Sequence, residues 1–424
     1  MSQLCIGCVA DDFTGASDMA SFLVKGGLKT EMCDGIPAKD WRPDPDTQAL
    51  VIALKSRTIT VAQAVSQSLA CFDWLYNTLQ AKQLYFKYCS TFDSTSDGNI
   101  GPVIDAVLKT LDMDNVIISP ALPVNGRTVY LGHLFVNGVP IEHSSMRSHP
   151  LTPMKESNLM SLIEQQGQGK AFNITHHTLD QGSQSIKMQL QDYPGFQYLV
   201  VDHFNDAHAD TIVQAFADYP FLSGSSGLAE PLARIHAQAN NTEQTSSMFS
   251  GSAPTLVIAG SCSVATREQV KVFAKTHACY QVDPTALFKG DINSDTIWQW
   301  IQQQQGKPCL IYSSDDPAKV SELQDTLGAD LAALIEKNFA EIAQKAVKNG
   351  IQRLIIAGGE TSGAVTQALD LKQFFVGPSI APGVPVIQPR NTPELLLSLK
   401  SGNFGDADFF IKALNIMNTD TRGI

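Results

Sequence analysis

Short apolar runs alternate with longer amphipathic segments along almost the whole chain. The runs Leu4–Val9, Val51–Leu54, Leu84–Tyr88, Val116–Ser119, Tyr198–Val201, Thr255–Ala259, Cys309–Ser313 and Arg353–Ala357 have the length and apolar continuity of buried strands. Between them, Ala16–Lys25, Val61–Gln80, Ile100–Leu111, Thr266–Lys275 and Leu331–Lys348 carry helical spacing. Strand–helix–strand alternation predicts an α/β protein with mainly parallel sheets covered by helices on both faces. One antiparallel insertion is expected where Val129–Val136 and Val139–Ile141 flank Asn137-Gly138, a two-residue hairpin signal.

The pattern breaks once. Ala237–Pro254 is polar, rich in Ser, Asn and Gln, and without an apolar period, so it reads as a linker. It divides the 424 residues into a first domain over 1–236 and a second over 255–424, each with its own βα alternation. The expected architecture is two domains, each a mainly parallel sheet flanked by helices, with an active site in the cleft between them.

Charge removes several classes of partner. Thirty Lys and Arg stand against 42 Asp and Glu, a formal net of −12, which argues against nucleic acid and against an anionic membrane surface. No run approaches about 18 apolar residues, so no transmembrane helix is expected. The apolar start Leu4–Ala10 lacks a basic flank and meets Asp11 and Asp12 at once, so it reads as a first strand and a cytoplasmic location is expected. Eight cysteines are scattered, and Cys5-x-x-Cys8 lies inside a strand pattern, where buried reduced thiols are the better account than redox or metal chemistry. His176-His177 reads as a surface pair rather than a zinc site.

Ligands of open parallel sheets bind beyond the carboxyl ends of the strands, so the residues just after each strand carry the functional signal. The first strand runs into Asp11-Asp12-Phe13-Thr14-Gly15. One of the two acids suffices to cap the following helix, which leaves the other for chemistry. After the next strands come Lys55-Ser56-Arg57, Lys87 to Thr95 with Asp93 and Ser94, and Pro120 to Arg127 with Asn125. Cations at three successive strand ends of an acidic protein point to a small anion. In the second domain, Gly260-Ser261-Cys262-Ser263, Gly358-Gly359-Glu360-Thr361 and Ser401-Gly402-Asn403 are turns of small residues beside strands, the kind that present backbone N–H groups to phosphate. The chain has no G-x-x-x-x-G-K-[ST], no G-x-G-x-x-G after its first strand and no protein-kinase set, and Gly224-x-Ser226-Gly227 lacks the spacing of a hydrolase elbow. The residues alone therefore lead to a two-domain α/β enzyme with a small anion on the first domain and a phosphate-bearing ligand on the second.

Several of these stretches also match a known pattern. Val9–Ala16, Phe86–Thr95 with Gly98–Gly101, Pro120–Arg127, Gly260–Ser263, Ala357–Thr361, Ala381–Pro385 and Ser401–Gly405 resemble the four-carbon acid sugar kinase family, and the likeness spans essentially the whole chain. The stretch Lys87-Tyr88-Cys89-Ser90-Thr91-Phe92-Asp93-Ser94-Thr95 looks like that of the 3-oxo-tetronate 4-kinase branch. The resemblance implies ATP-dependent phosphorylation of the terminal hydroxyl of a four-carbon sugar acid, with the acid on the first domain and the nucleotide on the second. It implies ATP contacts at Ser261, Gly358, Gly359, Glu360, Thr361 and Gly402. The candidate acid contacts are Asp11, Arg57, Lys87, Ser94, Asn125 and Arg127, and Asp12, Asp93 and Lys87 are the candidate catalytic groups. Mg2+ is expected to ride mostly on ATP oxygens and waters, with its protein ligands unassigned. D-threonate or D-erythronate 4-kinase, a sugar-acid sensor without catalysis, and a dehydrogenase stay open as alternatives. So does the oligomeric state, a homodimer being one outcome.

Overall fold

A computed structural model describes residues 4–149, 151–192, 195, 197–239, 251–313 and 330–419. Contacts divide the chain into two compact units, 1–244 and 245–424. Of the expected linker, residues 240–250 lie outside the described residues, and 237–239 finish a helix.

The first unit is built on β1 (Ile6–Ala10), β2 (Thr30–Asp34), β3 (Ala49–Ala53), β4 (Gln83–Lys87) and β11 (Phe221–Gly224), all parallel in the order β11-β4-β1-β3-β2. β1 and β3 are buried at every position, as a strand covered on both faces requires. Helices α1 (Phe13–Lys25), α2 (Val61–Asp73) and α3 (Ile100–Leu111) cover the sheet. Leu50, Ile52 and Phe86 share one core with Val103, Ile104 and Val107. The helix expected to Gln80 ends its regular part at Asp73 and closes as a wider turn over Trp74–Thr78, where the Leu79 N–H donates to the Trp74 carbonyl.

A smaller parallel sheet of β5 (Val116–Ile118), β9 (Ala171–Ile174) and β10 (Tyr198–Val201) and an antiparallel ribbon of β6 (Arg127–Tyr130), β7 (His133–Val136) and β8 (Val139–Pro140) complete the strands. The Asn137-Gly138 turn forms as expected, both residues having positive φ (51° and 79°). The run Val129–Val136, however, is not one strand. Leu131 and Gly132 also take positive φ (48° and 73°), and the chain reverses there into a second hairpin. Helices α4 (Leu159–Gln166), α5 (His176–Asp180), α6 (Ser183–Asp192), α7 (Asp206–Ala215) and α8 (Ala229–Ala239) fill in around these sheets.

In the second unit β13 (Ala278–Gln281), β14 (Cys309–Tyr312), β12 (Thr255–Ala259), β15 (Arg353–Ala357) and β18 (Leu396–Lys400) run parallel in that order. Antiparallel β17 (Val384–Pro389) and β16 (Gln373–Ala381) extend it. That hairpin is hard to read from sequence because Pro378, Pro385 and Pro389 argue against strand. Helices α9 (Val264–Phe273), α10 (Pro284–Lys289), α11 (Ser294–Gln303), α12 (Asp330–Lys348), α13 (Gly359–Ala368) and α14 (Phe409–Asn418) flank the sheet. No helix among the described residues is long and apolar enough to cross a membrane.

Candidate functional site

The first cluster forms where β1, β3 and β4 end side by side. Ala10 pairs with Ala53 on one side and Lys87 on the other, so the residues that follow each strand converge. The Asp11 N–H donates to the Lys87 carbonyl and the Ser56 N–H to the Asp11 carbonyl, at 3.0 Å each, which carries the ladder one step beyond the strands. Asn99 then ties down the third loop, its Nδ2 donating to the carbonyls of Ser56, Arg57 and Ile59.

Arg57 is the hub. Its Nε and Nη2 grip Asp11 at 2.9 and 2.8 Å, Nη2 also lies 3.0 Å from Asp12 Oδ1, and Nη1 donates to Asp93 Oδ2 at 3.1 Å. Burial opposes the guanidinium charge, but Asp11 and Asp12 outweigh it and hold Arg57 protonated. Asp12 does serve as the cap of α1, with Oδ1 accepting the Gly15 N–H at 2.8 Å. Its carboxyl is nevertheless raised, first by burial and then by Asp11, against the pull of Arg57 and Lys87. Lys87 is buried with its Nζ on the Tyr88 carbonyl at 2.8 Å, which leaves ammonium protons unspent.

Arg127 donates to the Asn125 carbonyl, while its buried Nε has no hydrogen-bond partner among the described residues. Asp18, which the sequence reading did not single out, is buried on α1 with Ser226 on one oxygen and, among the described residues, no hydrogen-bond partner on the other. Burial raises its carboxyl, and Lys87 and Arg127 pull it back, so electrostatic coupling links Arg127 to this cluster. Ser94 accepts from Gln166 Nε2 at 2.9 Å. Lys55 faces solvent.

Two further side chains escaped sequence reading. Asp93 Oδ1 accepts from the hydroxyl of Thr152, and Thr152 Oγ1 lies 2.9 Å from His149 Nδ1. Both sit in an irregular stretch, and only the polar pair itself, set among prolines, could have drawn notice. His176 is also not the surface residue expected. Its N–H and Nδ1 both meet Asp202, and its ring packs on Tyr130 and Phe204, because the buried Asp202 carboxylate needs donors. Cys8 is buried inside β1, and burial pushes its thiol far up.

The second cluster is of another kind. Ser261, Gly358, Gly359, Glu360 and Thr361 all line one cavity of about 270 Å³, together with Gly260, Cys262, Pro284, Leu331, Ala332 and Ile335. Gly358 has φ +132° and leads into α13 without any side-chain cap, so the first-turn N–H groups of that helix are open to an anion. A side chain there would also crowd Thr361 Oγ1, at 3.0 Å from a Cβ.

Gly402 is not on the cavity wall but behind it. A Cβ on it would fall 2.2 Å from Ser261 Oγ. Its carbonyl accepts from Ser263 Oγ (2.6 Å), Thr266 Oγ1 (2.9 Å) and Lys400 Nζ (2.9 Å), which locks the end of β18 to the start of α9. Lys400 is buried, and burial lowers its ammonium to about 7. Glu336 and Glu360 border the cavity, and burial followed by the Glu360 charge raises Glu336.

Comparison with known proteins assigns the same division of labour. Residues 6–232 match the family model of a sugar-binding N-terminal domain, and residues 256–410 that of a nucleotide-binding C-terminal domain. The chain belongs to the four-carbon acid sugar kinase family. Members of this family named 3-oxo-tetronate kinase occur in Pectobacterium atrosepticum, 44% identical over 96% of this chain and 98% of that one, and in Brucella melitensis, 42% identical over 98% and 96%. A solved structure from Salmonella typhimurium LT2 superposes with TM-score 0.89 at 40% identity, covering 97% of this chain and 99% of that one. A Haemophilus influenzae protein does so with TM-score 0.83 at 38% identity, covering 97% and 100%.

Proposed function

We propose that this member of the family is an ATP-dependent 3-oxo-tetronate 4-kinase, transferring the γ-phosphoryl group of ATP to the C4 hydroxyl of a 3-oxo four-carbon acid. The observation that carries this reading is the pairing of a cavity walled by an uncapped helix start, in one unit, with a cluster of buried carboxylates and cations at strand ends, in the other. The first unit holds the acceptor and the second the donor.

Phosphoryl transfer leaves little covalent chemistry to a protein, so positioning and charge neutralisation dominate. The N–H groups of Gly359 to Thr361 take the phosphates, and Ser261, for which Gly402 leaves room, lines the same cavity. Pro284, Leu331, Ala332 and Ile335 supply an apolar wall suited to the base. On the acid side, the donors of Arg57 are committed to Asp11, Asp12 and Asp93, whereas Lys87 and Arg127 keep donors in reserve. Lys87 and Arg127 therefore take the substrate carboxylate and Arg57 holds the carboxylates in register, with Ser94 and Asn125 on the flanking loops. Asp12 and Asp93, both on Arg57, are the groups placed to receive the hydroxyl proton.

Glu360 and Glu336 both line the nucleotide cavity and raise each other's cost of charge, so they would be the carboxylates to hold Mg2+ there. It would supply charge neutralisation at the phosphates. The test is ADP release by a coupled assay over a panel of four-carbon acids, with phosphorus NMR of the product. ADP is expected only when acid is present, fastest with 3-oxo-tetronate, and the phosphate on C4. Equal ADP release without any acid would overturn the reading, and a preference for D-threonate or D-erythronate would move the substrate.

A further inference from the structure

The loop after β4 holds two consecutive non-glycine residues, Phe92 and Asp93, in left-handed backbone at φ 59° and 36°. Side chains with a Cβ avoid that region, and such strain persists mainly where the surroundings enforce it. Here it turns Asp93 inward, and the two carboxylate oxygens divide their duties. Oδ2 accepts from Arg57 at 3.1 Å, while Oδ1 accepts from the hydroxyl of Thr152, 59 residues further along.

Thr152 in turn meets His149 at two atoms, one bonded and one within reach once its hydroxyl turns from Asp93. Its backbone N–H donates to His149 Nδ1 at 3.2 Å, and its Oγ1 lies 2.9 Å from that same nitrogen. A backbone N–H has only a proton to offer, so Nδ1 presents a lone pair and the imidazole proton sits on Nε2. Nδ1 stands 3.7 Å from Asp93 Oδ1. Asp93 and Thr152 are buried, whereas 34% of the His149 side chain is exposed. An unbroken line of proton-accepting atoms thus leads from a buried carboxylate to water. The charged group facing His149 is Asp93, with Arg57 behind it. On His149's own segment, Arg147 directs its guanidinium to the Glu142 carbonyl at 3.3 Å.

We propose that Asp93, Thr152 and His149 form the proton outlet of the acid site, Thr152 handing to His149 Nδ1 the proton that Asp93 takes from the acceptor hydroxyl. This rests on the kinase reading above. As the C4 oxygen bonds to the γ-phosphorus, the bond from that phosphorus to the β,γ-bridging oxygen breaks, and ADP leaves with its electron pair. The hydroxyl proton goes to Asp93. With Asp93 protonated, the Thr152 hydroxyl turns its proton from Asp93 to Nδ1, and Asp93 then gives its proton to Thr152 Oγ1 while Thr152 gives its own to Nδ1. The imidazolium loses its Nε2 proton to water and exchanges back to the resting tautomer. The sum is one proton moved from substrate to solvent, with carboxylate, hydroxyl and imidazole restored. Thr152 and His149 act through Asp93 and need not touch the substrate.

The experiment follows ADP release at saturating ATP and acid for the wild type, His149→Ala, Thr152→Val and Thr152→Ser. The first two substitutions are expected to lower kcat about tenfold or more, within the range for assisted proton transfer, with KM for ATP unchanged. Thr152→Ser, which keeps a hydroxyl, recovers most of the rate. Added imidazoles restore His149→Ala in proportion to their basicity and do nothing for Thr152→Val. An undiminished kcat in His149→Ala overturns the outlet while leaving the kinase in place. So does rescue that ignores basicity, since that is a cavity being filled. A wild type that releases no ADP with any four-carbon acid removes the kinase reading, and the outlet with it.

Discussion

The two ligand regions of this chain are built from opposite materials. In the first unit, three carboxylates close on one guanidinium beside a buried ammonium, and almost every recognition atom belongs to a side chain. In the second, the open atoms are backbone N–H groups of an uncapped helix, and apart from Glu336 and Glu360 the side chains around them are small or apolar. The contrast follows from the ligands. A small acid must be told apart by the placement of its charge and hydroxyls, which calls for directed side chains held against their neighbours' repulsion. A phosphate chain is bulky and uniformly negative, so a preformed row of N–H dipoles suffices, provided no Cβ stands in the way. Side-chain chemistry should therefore govern the first region and backbone access the second.

The largest effect expected from that contrast is at Asp93. Asp93→Asn removes the carboxylate and should lower kcat by about 10²–10⁴, the usual worth of a general base. Asp12→Asn should cost less than about tenfold, because Asn caps a helix nearly as well as Asp and Asp12 is seen to cap α1. Steady-state kinetics of the pair decide this, and a larger loss at Asp12 would move the base there.

The next test sets backbone against side chain. Nothing lies within 4 Å of a Cβ placed on Gly359, so Gly359→Val should leave Tm unchanged. It should still weaken ATP by about 10–100-fold in calorimetry, the equivalent of about 1.5–3 kcal/mol of charge-assisted contact. Arg127→Met should do the reverse, raising KM for the acid about tenfold with KM for ATP unmoved. Equal effects of either substitution on both ligands would erase the distinction between the regions.

The last test concerns Lys400, a buried charge behind the second region. Burial lowers Lys400 from 10.5 to about 7, so between those values the unfolded chain binds a proton that the folded chain does not. Stability from this group is therefore lowest below about pH 7 and rises with pH up to about 10.5, by at most about 1.4 kcal/mol per unit. Denaturant titrations of the wild type and Lys400→Met should differ by a slope of that sign, and parallel curves would show that Lys400 is not so perturbed.

Much of this was legible in order of residues. The strands Val51–Leu54, Thr255–Ala259 and Arg353–Ala357 announce themselves by unbroken apolar runs, because a strand covered on both faces tolerates nothing else. Strand-end position picked out Asp11, Arg57, Lys87 and Asp93, which do meet, and Ser261 and Gly358 to Thr361, which do share a cavity. The hairpin Gln373–Pro389 was not legible, since its prolines mask a strand pattern that pairing with β18 imposes. Nor was Thr152. Its role depends on a hydrogen bond spanning 59 residues, which no local pattern encodes.

By itself, then, the sequence determined which residues stand at the carboxyl ends of strands and which turns are narrow enough for phosphate, because periodicity and glycine placement are local properties. Only the tertiary structure decided how the charges are shared. Whether Arg57 greets a substrate or three aspartates, whether Asp12 caps a helix, and which histidine reaches Asp93 all depend on distances of about 3 Å between atoms brought together from separate loops. Hydrogen bonds and ion pairs fall away steeply beyond that range, so their partners are settled by folding rather than by composition.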